Sequence, residues 1–263
     1  MKAMLNPLIE RVASRVFAVD QYADIFEKIA HLHHARPMLR RLCRRQLPDD
    51  VAAAPLLFIH VPKNGGTSIK QALYVSDPGH ATVRFYDLFV PEHLARMPTM
   101  AILRDPVDRF LSGFDFLLNG GGSDVRILPQ AMQRMAGIRT IDALLDFLEG
   151  AAGDWLKVDT FVRPQSWYVT DIEERIRIRH LWLIEETGDA MATFLAGHGV
   201  ATVPHTNRTA RQNRTLTPDQ RQRLQRLYGD DFALYARVKA LGGYTDALWG
   251  VPLGALASAL SSD

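Results

Sequence analysis

A lysine, two adjacent glycines and two hydroxyl residues stand together in the stretch FIHVPKNGGTSIKQAL, residues 58–73. Adjacent glycines let a backbone turn sharply and approach a ligand closely. A helix predicted to begin at Thr67 would point its first amide groups at such a ligand, beside two hydroxyls and one ammonium group. The stretch therefore predicts an anion-binding turn that suits a phosphate.

The position of the lysine separates this turn from the usual nucleoside-triphosphate loop. That loop has four residues between its glycines and a lysine after the second one, directly before Ser or Thr. Here Lys63 precedes the glycines, and no carboxylate adjoins it to hold magnesium. We expect Lys63 to meet the far end of a bound phosphate, where a bond to a leaving oxygen breaks. Sulfuryl, which carries one negative charge, is the transferred group that this arrangement favours.

A second stretch with anion-binding chemistry is AILRDPVDRFLSGF, residues 101–114. Asp105 is predicted to cap a helix whose first turn contains Pro106. Its apolar residues recur at helical spacing and predict one buried face. Arg104 just before this helix, with Ser112 on an early turn, would then meet a phosphate as a guanidinium fork plus a hydroxyl.

In this order, and each after a predicted strand, the two stretches resemble the 5′-phosphosulfate and 3′-phosphate motifs of sulfotransferases that use 3′-phosphoadenosine 5′-phosphosulfate (PAPS). The similarity is to the carbohydrate branch, which contains heparan and chondroitin sulfotransferases and bacterial relatives. Fainter similarity continues through RPQSWYV, LWLIEETGDAMATFL and the stretch that begins HTNRTARQNRT, so that it covers roughly residues 56–238. The first fifty residues are not explained by it.

The resemblance implies in-line transfer of a sulfuryl group from PAPS to a hydroxyl of a carbohydrate or glycolipid, with release of 3′,5′-ADP and no metal. It implies that Lys63 is catalytic and stabilises charge on the leaving oxygen. The residues expected to bind PAPS are Lys63, Asn64, Gly65, Gly66, Thr67, Ser68, Arg104, Ser112, Asn207 and Arg208.

An acceptor hydroxyl is weakly acidic, so transfer benefits from a general base with a pKa near neutrality. His80, in DPGHATVRFYDL, is the candidate, because this stretch resembles the segment that carries a catalytic histidine in some carbohydrate sulfotransferases. One family pattern has two histidines around the glycine, whereas Pro78 occupies the earlier place here. Glu92 and His93 are the alternative bases.

Three further residues have expected roles near the two motifs. Gln165 and Trp167 stand where the family has a similar RPQ segment, and are expected to face the cofactor or acceptor, although Trp167 equally fits a core position. His60 is expected to shape the first loop through a hydrogen bond.

The elements that must position these residues alternate along the chain. Three continuous apolar runs, LLFIHV, TMAIL and HLWLI, predict buried parallel strands, each followed by a predicted helix. The resulting class is α/β, and the resemblance implies a three-layer P-loop-like sulfotransferase fold with a central parallel sheet flanked by helices. The segment GHATVRFYDL is interpreted as a further strand and PDDVAAAP as a linker. Thr217, Pro218 and Gln220 predict a capped helix near the end of the domain.

Length and composition fit one large domain with an appendage. The 263 residues carry a formal net charge of +2, which gives no general reason to expect a nucleic-acid partner. Cys43 is the only cysteine, so an intramolecular disulfide is excluded. We predict an N-terminal helical appendage over residues 1–50, the sulfotransferase domain over 51–242 and a C-terminal tail over 243–263.

The chain has no apolar run long enough to span a bilayer, and this predicts a soluble, cytoplasmic and bacterial protein. The basic stretch 36–45 is either a solvated helix face or a peripheral contact with an anionic membrane. Three other functions stay open: a nucleotide-binding phosphoryl transferase, a non-catalytic nucleotide-binding module, and a peripheral membrane adaptor that uses this basic stretch.

Overall fold

A computed structural model describes residues 28–29, 38, 46–120, 136–186, 188–200 and 214–260 of the chain. Within these ranges the sheet has four strands, ordered as in the sequence: β1 (Leu57–Ile59), β2 (Thr99–Leu103), β3 (His180–Leu183) and β4 (Tyr244–Thr245). The first three are parallel, and β4 is antiparallel to β3. The predicted α/β class, with a mostly parallel sheet and flanking helices, is confirmed. The short β4 was not predicted.

The strands form where the sequence is continuously apolar. Every residue of β1 and β2 is buried, as expected for strands that are covered on both faces. Phe58 pairs with Met100, and Ala101 pairs with Leu181. This register aligns the carboxyl ends of the neighbouring strands at one edge of the sheet.

Helices surround the sheet. Their bounds in the described ranges are α1 (Asp49–Ala52), α2 (Thr67–Leu73), α3 (Val83–Phe89), α4 (Pro91–Arg96), α5 (Pro106–Leu118), α6 (Ile141–Gly150), α7 (Ser166–Val169), α8 (Gly188–Gly197), α9 (Pro218–Leu227), α10 (Gly229–Ala240) and α11 (Leu253–Leu260). Short 3-10 turns lie at Trp155–Lys157, Thr160–Val162 and Ile184–Glu186. The capping box predicted for α9 is present, because the Thr217 side chain accepts from the Gln220 amide and the Gln220 side chain accepts from the Thr217 amide.

Two sequence interpretations are wrong. Part of the segment interpreted as a strand forms α3, which is a helix because Thr82 caps it by accepting a hydrogen bond from the Phe85 amide. The segment interpreted as a linker contains α1, whose first turn carries Asp49 and Asp50, and acidic residues stabilise the amino end of a helix.

Two apolar clusters hold the domain together. The larger one lies around the sheet and includes all residues of β1 together with Tyr168 and Leu234. The second joins α5 to α6 and α9, through residues such as Phe110 and Leu144. Since α5 carries the second anion-binding motif, this cluster fixes that motif on the body of the domain.

Most of the predicted appendage, including almost all of the basic stretch 36–45, lies outside the described residues. Among the helices that are described, none combines the length and the apolar character needed to cross a bilayer. The same part of the chain contains no group of three or more His, Cys, Asp or Glu residues suited to holding a metal ion.

Candidate functional site

The two anion-binding motifs follow neighbouring parallel strands. The loop 60–66 leads from β1 into α2, and Arg104 with Asp105 leads from β2 into α5. Loops that follow adjacent parallel strands stand at the same edge of a sheet, where α/β proteins bind ligands. Here the loops touch, because Arg104 Nη1 donates a hydrogen bond of 3.1 Å to the backbone carbonyl of Lys63.

The backbone of the first loop is unusual at two positions. Lys63 has φ 68° and Gly65 has φ 72°, both in the left-handed region. Glycine adopts this conformation without strain, whereas a lysine holds it only where surrounding contacts enforce it. Gly66 is needed for another reason: a Cβ there would come within 2.7 Å of His60 Cδ2 and 2.8 Å of Phe58 Cζ.

The other members of the loop differ in exposure. Gly65 and Thr67 are exposed and Ser68 is half-buried, while Asn64 is fully buried. Asn64 Nδ2 donates to the Ile102 carbonyl at 2.7 Å and to Gln165 Oε1 at 3.0 Å. The Asn64 side chain therefore fixes the loop.

The second motif is held by local hydrogen bonds. Asp105 Oδ1 accepts from the amides of Val107 at 2.9 Å and Asp108 at 3.0 Å, as the sequence predicted for the cap of α5. Arg104 and Ser112 are both half-buried. The arginine stands just before the N-cap of α5, and the serine lies within this helix.

Lys63 lies in a positively charged and apolar environment. Its Nζ is 4.2 Å from the centroid of the Phe116 ring. Burial, followed by the guanidinium groups of Arg104 and Arg109, lowers the pKa of Lys63 from its usual 10.5 to about 8, and Asp115 opposes this change. Lys63 is thus mostly protonated at neutral pH, and its charge is poorly compensated by nearby carboxylates.

His80 lies beside the first loop. Its Nδ1 is 2.9 Å from the backbone carbonyl of His60. A carbonyl only accepts hydrogen bonds, so Nδ1 carries the proton and Nε2 has the lone pair of a base. Burial lowers the pKa of His80, while its hydrogen bond to His60 opposes that effect. The neutral imidazole is therefore the dominant form at neutral pH.

A contiguous row of side chains joins the two predicted catalytic residues. The His80 ring meets Phe161 edge-on with centroids 5.8 Å apart, and Phe161 contacts Phe116 at 4.2 Å. Phe116 is the ring beneath the Lys63 ammonium group. These aromatic side chains come from α5 and a 3-10 turn, and they give the space near both predicted catalytic residues an apolar wall.

The segment that carries His80 is tied to α2. Asp77 accepts from Lys70 Nζ at 3.0 Å and from the Gly79 amide at 2.9 Å. Asp50 binds the same segment by accepting from Ser76 Oγ at 2.7 Å and from the Ser76 amide at 2.7 Å. The His80 segment is therefore held by both α1 and α2, and α2 begins where the first loop ends.

Sequence reasoning missed Arg109, which lies in α5 and is 1% exposed. Its Nε donates to the Pro62 carbonyl at 3.1 Å, and its two Nη groups have no hydrogen-bond partner among the described residues. Its charge lowers the pKa of both Lys63 and His80. The sequence signal for Arg109 is a charged residue next to the apolar Phe110 in a helix that is largely buried.

Gln165 and Trp167 differ in their surroundings. Gln165 is fully buried, and its amide bonds to both loops rather than facing an open cleft. Trp167 is partly buried, with the Arg84 guanidinium 4.3 Å from its ring centroid. The packing of Trp167 agrees with the core alternative considered for it.

The remaining predicted residues lie elsewhere. Asn207 and Arg208 lie outside the described residues. Arg214, the first described residue after position 200, donates a hydrogen bond of 2.8 Å to Asp115 Oδ1. Asp115 is the neighbour of Phe116 on α5. Glu92 and His93, the alternative bases, lie on α4, which precedes β2 and so approaches the sheet from its amino side.

The fold and the site define an α/β protein with two touching, cation-bearing loops at the carboxyl edge of its parallel strands. A model of the sulfotransferase family matches residues 52–236, more than half of the chain. The chain therefore belongs to the sulfotransferase family, as the two motifs predicted, and this indicates an enzyme that transfers sulfuryl groups to an acceptor. No curated protein matches the chain.

Proposed function

We propose that this protein transfers a sulfuryl group from PAPS to a hydroxyl of a carbohydrate or glycolipid. The observation that carries the proposal is the direct contact between the two motifs, in which Arg104 donates to the carbonyl of Lys63. A molecule with phosphates at both its 5′ and 3′ positions needs two neighbouring anion sites, and the contact between these two cation-bearing loops supports that arrangement.

The residues of the loops fit such a donor. The first loop offers amide and hydroxyl groups around Gly65, where the left-handed backbone opens the turn. The set proposed for the 5′ end is Lys63, Asn64 through its backbone, Gly65, Gly66, Thr67 and Ser68. Arg104 and Ser112 are proposed for the 3′-phosphate, and Asn207 and Arg208 for closing over the phosphosulfate.

Lys63 is proposed to stabilise the charge that develops on the leaving oxygen. When bound, PAPS supplies the sulfuryl group, and 3′,5′-ADP is the product. An ammonium group in a partly buried site, beside the apolar ring of Phe116, stabilises such a charge more strongly than it would in water. The positive charge of Arg109 near Lys63 adds to this field.

His80 is proposed as the general base. Its Nδ1 donates to the His60 carbonyl, so the proton of the acceptor hydroxyl would move to Nε2. As the new bond from the hydroxyl oxygen to sulfur forms, the bond from sulfur to the 5′-phosphate oxygen breaks. The imidazole holds the proton that the hydroxyl loses. The apolar wall of Phe116 and Phe161 is proposed to limit the access of water to the reacting groups.

The test is an acceptor screen with PAPS. The purified protein is incubated with PAPS and a panel of glycans and glycolipids, and mass spectrometry detects the gain of one sulfuryl group. We expect a sulfated glycan or glycolipid with the wild type and much less product with His80→Ala. Phosphorylated product from ATP and magnesium, with none from PAPS, would contradict the proposal and support the phosphoryl transferase alternative.

A further inference from the structure

The side-chain amide of Gln165 connects the two anion-binding loops. Its Oε1 accepts from Asn64 Nδ2 at 3.0 Å in the first loop and from the Arg104 amide at 3.1 Å in the second. Its Nε2 donates to the Arg104 carbonyl at 2.9 Å. One side chain therefore holds both loops, which are separated by about forty residues in the sequence.

Gln165 is itself fixed by a buried carboxylate. Asp231, at the start of α10, accepts hydrogen bonds from the backbone amide of Gln165 at 2.7 Å and from the backbone amide of Ser166 at 2.8 Å. Gln165 and Asp231 are both 0% exposed. Because these groups are removed from water, the loops cannot move apart without leaving buried donors and acceptors without partners.

The chemistry of this connection requires an amide. Arg104 presents an amide N–H and a carbonyl to the same side chain, so that side chain must accept with one atom and donate with the other. A carboxylate would keep the acceptors but lose the donor, and a thioether of similar size would lose both. The contacts thus select glutamine by its hydrogen-bonding pattern and not only by its size.

We propose that Gln165 is a positioning residue that sets the spacing of the two anion sites and thereby makes the protein selective for nucleoside 3′,5′-bisphosphates. This inference rests on the proposed function, since it concerns the same two loops. A ligand that reaches both anion sites gains the full affinity of its second contact only when the spacing of the sites is fixed before it binds. A ligand with a single phosphate gains nothing from that spacing.

The test compares three probes by calorimetric titration: 3′,5′-ADP, 5′-AMP and 3′-AMP. The variant Gln165→Met removes all three hydrogen bonds of the side chain, and Asn64→Ala removes the bond from the first loop to Gln165 together with the bond to the Ile102 carbonyl. For both variants we expect the Kd of 3′,5′-ADP to rise about tenfold or more, while the Kd of each monophosphate changes by less than about threefold. The decisive quantity is the preference for the bisphosphate, which is the ratio of the Kd of each monophosphate to the Kd of 3′,5′-ADP.

Tyr74→Phe is the matched control for lost stability. The Tyr74 hydroxyl donates to the Leu56 carbonyl at 2.8 Å and accepts from the Phe58 amide at 2.7 Å, at the start of β1 and away from the loops. This variant also loses buried hydrogen bonds, and it should keep the wild-type preference. Thermal unfolding of each variant establishes that the proteins titrated are folded, and Asn64→Ala decides the matter if Gln165→Met does not fold.

The outcomes separate the two proposals. If the wild type prefers 3′,5′-ADP and the folded variants retain that preference, the role of Gln165 is overturned while the proposed function stands. If the wild type does not bind 3′,5′-ADP, both are overturned. A preference that is lost in the variants and kept in Tyr74→Phe supports the role of Gln165 in spacing the sites.

Discussion

The two loops at the carboxyl edge of the sheet lie in contact, yet they are held by different kinds of interaction. The first loop has left-handed backbone at Lys63 and Gly65, and it packs against buried rings that leave no room for a Cβ at Gly66. The second is a regular capped helix start, in which Asp105 accepts two amide hydrogen bonds. Close packing around Gly66 shapes the first loop, a local cap begins the helix of the second, and the Gln165 side chain joins the two.

This difference suggests that the first loop serves catalysis and the second serves binding. A loop in a strained conformation holds an ammonium group at one place, which suits stabilisation of a transition state. A capped helix with an arginine before it is a stable platform that suits anchoring a phosphate. Loss of the Lys63 charge in the first loop should therefore reduce the rate of transfer, and loss of the Arg104 charge in the second should reduce affinity.

The largest effect is expected from His80, which bonds to the first loop through the His60 carbonyl. His80→Ala should lower kcat/KM by about 100- to 10,000-fold, because the hydroxyl loses its base. Burial lowers the pKa of His80, so the wild-type rate should fall only as the pH drops through a value below 6.5. That acidic limb of the pH profile should vanish in the variant. His93→Ala is the comparison, and an equal loss there would transfer the role of base to His93.

Lys63→Met should lower kcat by about 100- to 1,000-fold, because charge on the leaving oxygen is no longer stabilised. The affinity for 3′,5′-ADP should change much less. With a pKa of about 8, Lys63 loses its proton as the pH rises through that value, so the wild-type kcat/KM should decline there. Lys157→Met, at an exposed lysine paired with Asp154, is the control and should be neutral. Unchanged turnover in Lys63→Met would remove the catalytic role of the first loop.

Arg104→Ala tests the proposed binding role of the second loop. The Kd of 3′,5′-ADP should rise about 10- to 100-fold, since hydrogen bonds to a charged group are lost. The kcat at saturating PAPS should stay within about threefold of wild type. Titration and steady-state kinetics measure the two quantities, with the exposed Arg221→Ala as control. A loss confined to kcat would contradict the assignment of Arg104 to anchoring.

The smallest effects concern stability. Gly66→Ala should lower the free energy of unfolding by about 1–3 kcal/mol, because the rings of His60 and Phe58 must move. Asp105→Ala should cost about 1 kcal/mol through the lost cap. Denaturant unfolding measures both. Gly137→Ala is the control, since a Cβ there meets nothing within 4 Å. A loss at Gly66 no larger than that of the Gly137 control would argue against the close packing of the first loop.

Local signals in the sequence predicted much of the fold. The apolar run TMAIL predicted β2 with its observed bounds, and the Asp105 and Pro106 signals predicted the start of α5. The segment around α3 misled because valine, phenylalanine and tyrosine suggest a strand, while a single threonine cap determines the helix. The two residues of β4 are too few to give a periodic pattern.

The site was predictable only where its residues are close in sequence. Lys63 and Arg104 are parts of motifs, but Phe161 joins His80 and Phe116 through tertiary packing that no spacing reveals. Gln165 was expected to face the cofactor or acceptor because the family has a similar RPQ segment at this place. Its actual partners, Asn64 and Arg104, become neighbours only once the sheet has formed.

Calorimetric titration with 3′,5′-ADP, run beside ATP with magnesium, tests the central claim most directly. Wild-type protein and Arg104→Ala are titrated under the same conditions. We expect tight binding of 3′,5′-ADP that the substitution strongly weakens, and weak binding of ATP. Preference for magnesium-bound ATP, or binding of neither nucleotide, would contradict the proposal that the two loops form a site for PAPS.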